Sequence, residues 1–274
     1  MPVNASSESD VIFRTYDRGA LTATLYRPAT AAVAAVVDVH GGAWTSGDRT
    51  NNVATARYLA ANGIAVLSLD FRMPPDAAYP ETVTDVAAGL RWMRTHAPDV
   101  GTTPERVGLL GTSSGGHLAL LVALRPHDER YVGPALGGEP DLAVRYAVLG
   151  WPVSDPVARY HMVRDRTDTR LRDAHHAFWA GEEQMAEGSP YEIVRRGEAQ
   201  QLPALLILQG LSDDNLTSDM QQRFVAAYRE RGGSVELETF EGQPHSFISR
   251  DPASAAAGAA LARITEFIIR QATG

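Results

Sequence analysis

The chain has 274 residues, 44% of them apolar, with 25 basic side chains against 33 acidic ones and a net charge of −8. That is enough apolar material for a sizeable core, and the wrong charge for a nucleic-acid partner, whose phosphates recruit basic surfaces. Every basic residue is Arg and there is no Cys, which excludes a Schiff-base lysine, a thiolate nucleophile, a disulfide and a Cys-ligated zinc.

The polar start Met1–Asp10 has no basic and apolar leader pattern, and runs such as Ala31–Val37 and Ala204–Leu208 are too short to cross a bilayer. The expectation is a soluble, cytoplasmic chain with no membrane partner; a homo-oligomer stays open. Two β-type runs, Val11–Tyr16 and Leu21–Tyr26, follow one another across a short polar gap and predict an antiparallel hairpin at one sheet edge. Further strands are expected at Val33–Val39, Ile64–Leu69, Arg106–Leu110, Tyr146–Gly150, Leu205–Gln209 and Val235–Phe240. The middle ones are continuously apolar, as when helices cover both faces of a parallel sheet. Helical patterns lie between or after them at Asn51–Asn62, Glu81–His96, Ser114–Leu124, Ser218–Arg231 and Pro252–Gln271. This alternation predicts a three-layer α/β fold with a mostly parallel eight-stranded sheet, residues 1–274 forming one domain. Residues 152–201 break the rhythm: no strand pattern appears, and Arg, Asp, Glu, His and aromatics abound. They read as a helical cap insertion over the carboxyl edge of the sheet, where α/β proteins bind ligands.

Gly111-Thr112-Ser113-Ser114-Gly115-Gly116 fits G-x-S-x-G between a strand and a helix, a sharp turn that lifts the Ser113 hydroxyl above the sheet. The following helix points its positive end at charge developing there. Upstream, Val39-His40-Gly41-Gly42-Ala43-Trp44 closes the third strand, and its paired glycines can present unhindered N–H groups. Gly41, Gly42 and Ser114 together would form an oxyanion hole, with His40 a structural residue of the loop. A serine needs a general base. Of the eight histidines, His245 alone sits in a turn-rich loop after the last strand, whereas His117, one helical turn past Ser113, reads as core. His175 and His176 beside Asp173 point different ways on a helix, so no metal site is expected. After the seventh strand, Asp213 or Asp214 can orient the histidine, giving the order Ser, Asp, His expected of this fold.

These motifs resemble the α/β-hydrolases, in particular the esterase and lipase branch with an HGG-type oxyanion motif, to which the hormone-sensitive-lipase-like bacterial esterases belong. The resemblance runs from about Val33 to Phe247 and includes Leu69-Asp70-Phe71-Arg72 and Tyr79-Pro80; Gly210-Leu211-Ser212-Asp213 matches the family's acid loop and favours Asp213. Gln209 and Phe71 depart from the family's usual His and Tyr. The resemblance implies a cofactor-independent serine hydrolase of carboxylic esters, working through an acyl-enzyme on Ser113, Asp213 and His245; the small cap and the lack of a membrane segment favour short-to-medium acyl or aryl esters. An aryl-formamidase on the same triad is the near alternative, suggested by Trp44 in an HGG-x-W turn, and a non-catalytic small-molecule receptor the remote one. Trp44 and Trp151, each just past a strand end, are the expected pocket walls, with Tyr160, Phe178, Trp179 and Tyr191 as further candidates. The interleaved run Arg159, Arg164, Arg166, Arg170 and Arg172 with Asp165, Asp168 and Asp173 reads as a solvated face, the sharper alternative being a clamp for an anionic substrate.

Overall fold

The structure, a computed structural model, describes residues 6–132 and 141–274. Eight strands, β1 (Ser7–Tyr16), β2 (Gly19–Arg27), β3 (Ala34–Val39), β4 (Ile64–Leu69), β5 (Val107–Thr112), β6 (Tyr146–Gly150), β7 (Ala204–Gly210) and β8 (Val235–Phe240), form one sheet in the order β1-β2-β4-β3-β5-β6-β7-β8. The hairpin β1–β2 and the β2–β4 pair are antiparallel; from β4 across to β8 every pair is parallel. All eight expected strands are present. β1 begins at Ser7 rather than Val11 because backbone pairing to β2, with side-chain bonds such as Thr24 to Asp10 and Arg27 to Ser9, holds a polar stretch that burial does not.

The helices are α1 (Val53–Ala61), α2 (Glu81–Thr95), α3 (Ser114–Leu124), α4 (Glu129–Val132), α5 (Pro156–Val163), α6 (Arg170–Phe178), α7 (Glu182–Glu187), α8 (Pro190–Arg196), α9 (Met220–Glu230), α10 (Phe247–Arg250) and α11 (Ala255–Thr273). α2, α3, α8 and α9 pack in one connected layer, and α1, α10 and α11 in another against the opposite face. Strands β3 to β6 are consequently buried almost residue for residue, the cause of their unbroken apolar runs. Among the described residues no helix is long and apolar enough to cross a membrane.

The chain steps from β3 to β4 on one side, then returns to β5 on the other side of β3. The loops leaving β3 and β5 therefore part, and a crevice opens at their carboxyl ends. Residues 152–201 carry α5 to α8 and no strand. Asp155 and Ser189 cap α5 and α8 by accepting from Ala158 and Glu192 N–H groups, each followed by Pro at the first helical position. The segment is tied down where Tyr79, Arg125 and Arg130 converge on Glu187.

Candidate active site

Ser113 sits between β5 and α3 at φ 54°, ψ −120°, a conformation a non-glycine residue reaches only when its surroundings impose it. The surroundings do so with hydrogen bonds: Ser113 N–H donates to Gly150 O at 2.8 Å, and Ser113 O accepts from Val153 N at 3.1 Å. Gly115 is obligatory here, since a Cβ on it would lie 2.1 Å from Val39 O. Its absence lets α3 start directly against the end of β3.

The loop after β8 carries His245, and the loop after β7 carries Asp213. The two loops are laced together by Ser212 N–H to Gln243 O at 2.9 Å and Leu211 N–H to Phe240 O at 3.0 Å. This brings His245 Nε2 to 2.8 Å from Ser113 Oγ and His245 Nδ1 to 2.8 Å from Asp213 Oδ2. Ser113 and His245 are each 7% exposed. Burial pushes the Asp213 carboxyl up, but hydrogen bonds from His245, Gln209 and the Asn215 N–H outweigh it and leave it below the usual carboxylate range. The carboxylate thus stays ionised and fixes Nδ1–H, leaving Nε2 free to accept the serine proton. Asp214 is exposed, so the structure brings Asp213 and not its neighbour to the histidine.

Gly41 lies so close to the serine that a Cβ on it would be 3.1 Å from Ser113 Cβ. Gly42, at φ +127°, has its carbonyl taken by Thr45 N–H and Ser46 N–H, both at 3.1 Å, and a Cβ there would fall 1.8 Å from Ser46 O. His40 donates from Nδ1 to Gly41 O at 2.6 Å and stacks on Phe71 at 4.2 Å, bracing the turn from behind. Ser114 opens α3, so its N–H has no acceptor within the helix. The N–H groups of 41, 42 and 114 belong to two loops that meet at Ser113.

Trp44 and Trp151, expected as pocket walls, are each 1% exposed, and neither lines the cavity above Ser113. Trp44 stacks on Phe178 at 5.1 Å and donates from Nε1 to His117 Nδ1 at 3.1 Å, while His117 Nε2 donates to Gly188 O at 2.9 Å. Its large aromatic surface packs the glycine turn against α3 and α6 instead of meeting solvent. Burial pulls His117 down to about 4, so it serves here as a neutral hydrogen-bond link. Trp151 packs behind His245, their rings 6.1 Å apart. His175 is buried against Trp44, and no cluster of metal-ligating side chains exists among the described residues.

The cavity itself encloses about 410 Å³ and is bordered by Gly41, Gly42, Ser113 and His245 together with polar side chains and three arginines. Two contributors were not evident from sequence. Gln209 donates to Asp213 Oδ2 at 2.9 Å and receives Gln221 Nε2 at 3.3 Å; Gln221 also donates to Pro152 O. For Gln209 the sequence signals were a polar side chain ending an apolar strand and its departure from the family's usual His, neither of which says what it binds. Arg159, grouped by sequence with a solvated run, is instead buried at the cavity wall.

Residues 36–249 match a family model described as alpha/beta hydrolase fold, and the chain belongs to that family. Among curated relatives, Lipase 2 of a Moraxella species is 27% identical over 90% of this chain, and esterase LipI of Mycobacterium tuberculosis 27% identical over 84%. The chain spans 63% of the length of the first and 72% of the second; it spans 52% of a third relative, a probable isoprenylcysteine alpha-carbonyl methylesterase of rice, at 25% identity. Among solved structures, a thermophilic esterase of Thermogutta terrifontis with propionate bound superposes with a TM-score of 0.75 at 25% identity, covering 98% of this chain and 94% of that one.

Proposed function

We propose that the protein is a serine hydrolase of carboxylic esters, with Ser113 the nucleophile, His245 the base, Asp213 its orienting acid, and the N–H groups of Gly41, Gly42 and Ser114 the oxyanion hole. The unbroken chain Asp213–His245–Ser113, with both links at 2.8 Å, carries the reading. Ser113 Oγ attacks the carbonyl as its proton passes to His245 Nε2, and Asp213 stabilises the imidazolium without taking the proton. The oxyanion develops beside donors already in place, so little reorganisation opposes it. Collapse expels the alcohol, which takes the proton from Nε2. Water then gives a proton to His245, attacks the acyl carbon, and releases the acid and Ser113.

The cavity supports a reading of substrate size. Its volume of about 410 Å³ and the folding of residues 152–201 as a small cap favour short-to-medium acyl or aryl esters. The Thermogutta esterase, solved with propionate and with butyrate, is in keeping with this. The test is a p-nitrophenyl ester series from acetate to laurate, run beside Ser113→Ala. We expect turnover greatest at short chains and lowered at least about 10³-fold by the substitution. Laurate hydrolysed faster than acetate overturns the short-chain assignment. No turnover anywhere, with an N-formyl aryl amide cleaved instead, overturns the ester assignment.

A further inference from the structure

Arg159 is the anomaly of the site. It sits on α5 and is 1% exposed, with its guanidinium 5.2 Å above the Trp44 ring. Its Nε and Nη1 find no acceptor, and it forms no ion pair, among the described residues. The Trp44 ring face attracts the charge but offers no in-plane acceptor, so Nε and Nη1 stay unanswered. The nearby anion, Asp213, has its oxygens committed to His245, Gln209 and the Asn215 N–H. Burial pulls the guanidinium down to about 10, which leaves it charged at neutral pH. A buried charge without a partner costs several kcal/mol.

Arg159 borders the same cavity as Ser113. Arg170 and Arg250 border it too, both exposed at its rim, and among the described residues no Asp or Glu side chain joins them in the lining. A chain of net charge −8 thus turns a locally positive cleft toward its nucleophile. Such a cleft raises the local concentration of anions. Any clamp for an anion is therefore narrower than the whole Arg/Asp run. Arg164 and Arg172 pair with Asp165 and Asp173 at the surface, and Arg166 donates to Asp214 O.

We propose that the substrate carries a carboxylate besides its scissile ester, and that this carboxylate is taken up by the Arg159 guanidinium, with Arg170 and Arg250 drawing it in. The inference rests on the ester-hydrolase reading. It makes Arg159 a specificity-determining residue: the anion supplies the acceptor that the protein withholds, and a neutral ester leaves the donors unmet.

Two substrate pairs test it, each a carboxylate against its carboxamide isostere. On the acyl side these are monoethyl glutarate and ethyl 4-carbamoylbutanoate; on the alcohol side, acetoxyacetate and 2-acetoxyacetamide. We expect the carboxylate of one pair to be preferred on the order of tenfold to a hundredfold in kcat/KM, the range of a hydrogen bond to a charged group. Arg159→Met should abolish that ratio, Arg159→Lys should restore part of it, and added salt should shrink it. Equal rates within both pairs, or a ratio that survives Arg159→Met, overturns the proposal. Should Arg159→Met fail to fold, competition against p-nitrophenyl acetate by glutarate and by glutaramide decides the matter in the unaltered protein. Glutarate inhibiting no better than glutaramide overturns it. Ser113-dependent turnover of p-nitrophenyl acetate without any carboxylate preference removes the anion assignment alone. Absence of Ser113-dependent turnover of every ester removes the reading beneath it.

Discussion

Asp38, in the middle of the sheet on β3, is 2% exposed and among the described residues has no cationic partner. Burial pushes its carboxyl up to about 6 from an ordinary 3.8, even though Asn52 donates to Oδ1 at 2.8 Å and Ser68 to Oδ2 at 2.9 Å. Between these two values the folded chain holds a proton that the unfolded chain has lost. Stability from this group is therefore present at low pH, declines as pH rises through the window, and levels off above 6. The gap of about two pK units corresponds to about 3 kcal/mol. Asp38→Asn keeps the oxygen that Asn52 needs, and the Ser68 hydroxyl can turn to accept from the new amide. The variant's advantage over the parent should grow by about 2 kcal/mol between pH 4.5 and pH 8, the rest of the effect lying below pH 4.5. Urea unfolding of both proteins at half-unit steps from pH 4.5 to 8 measures this. His117, drawn down to about 4, also titrates in this range, but it does so in both proteins and cancels in the difference. A difference curve that is flat, or that falls with pH, refutes the assignment of a neutral Asp38. Because Asn52 also donates to Thr112, the residue before the serine, the same variant should leave the elbow in place and retain esterase activity.

Two further substitutions probe the site. Gln209→Leu removes a donor from Asp213 and should lower kcat on the order of tenfold with little change in KM, read with p-nitrophenyl acetate; a change confined to KM would contradict a positioning role. Gly42→Ala places a Cβ against Ser46 O and displaces the turn, so kcat/KM should fall on the order of 100-fold. Circular dichroism and the urea midpoint show whether the fold survives. An active Gly42→Ala enzyme would remove that loop from the oxyanion hole.

The strands were legible because two helical layers bury the sheet from both sides, which writes β3 to β6 as apolar runs. The elbow was legible because Gly111, Ser113 and Gly115 answer a steric demand that few other turns make. Choosing between Asp213 and Asp214 was beyond the residues themselves, since adjacent carboxylates have identical chemistry and only the lacing of two loops selects one. Trp44 misled because a large aromatic beside a catalytic-type turn serves a pocket wall and a packing core equally well. Arg159 was hidden in a charged run. Its helical neighbours held the clue: Pro156, Arg159 and Val163 fall on one face of α5, and that is the face the helix buries.

Every step of the proposed reaction passes through Ser113. Treating the protein with paraoxon and locating the phosphoryl group by peptide mass spectrometry tests it directly. One diethyl phosphate on Ser113, formed in step with the loss of esterase activity and absent from Ser113→Ala, is the expected outcome. Labelling elsewhere, or full activity with Ser113 modified, would show that the hydroxyl held at 2.8 Å from His245 is not the nucleophile.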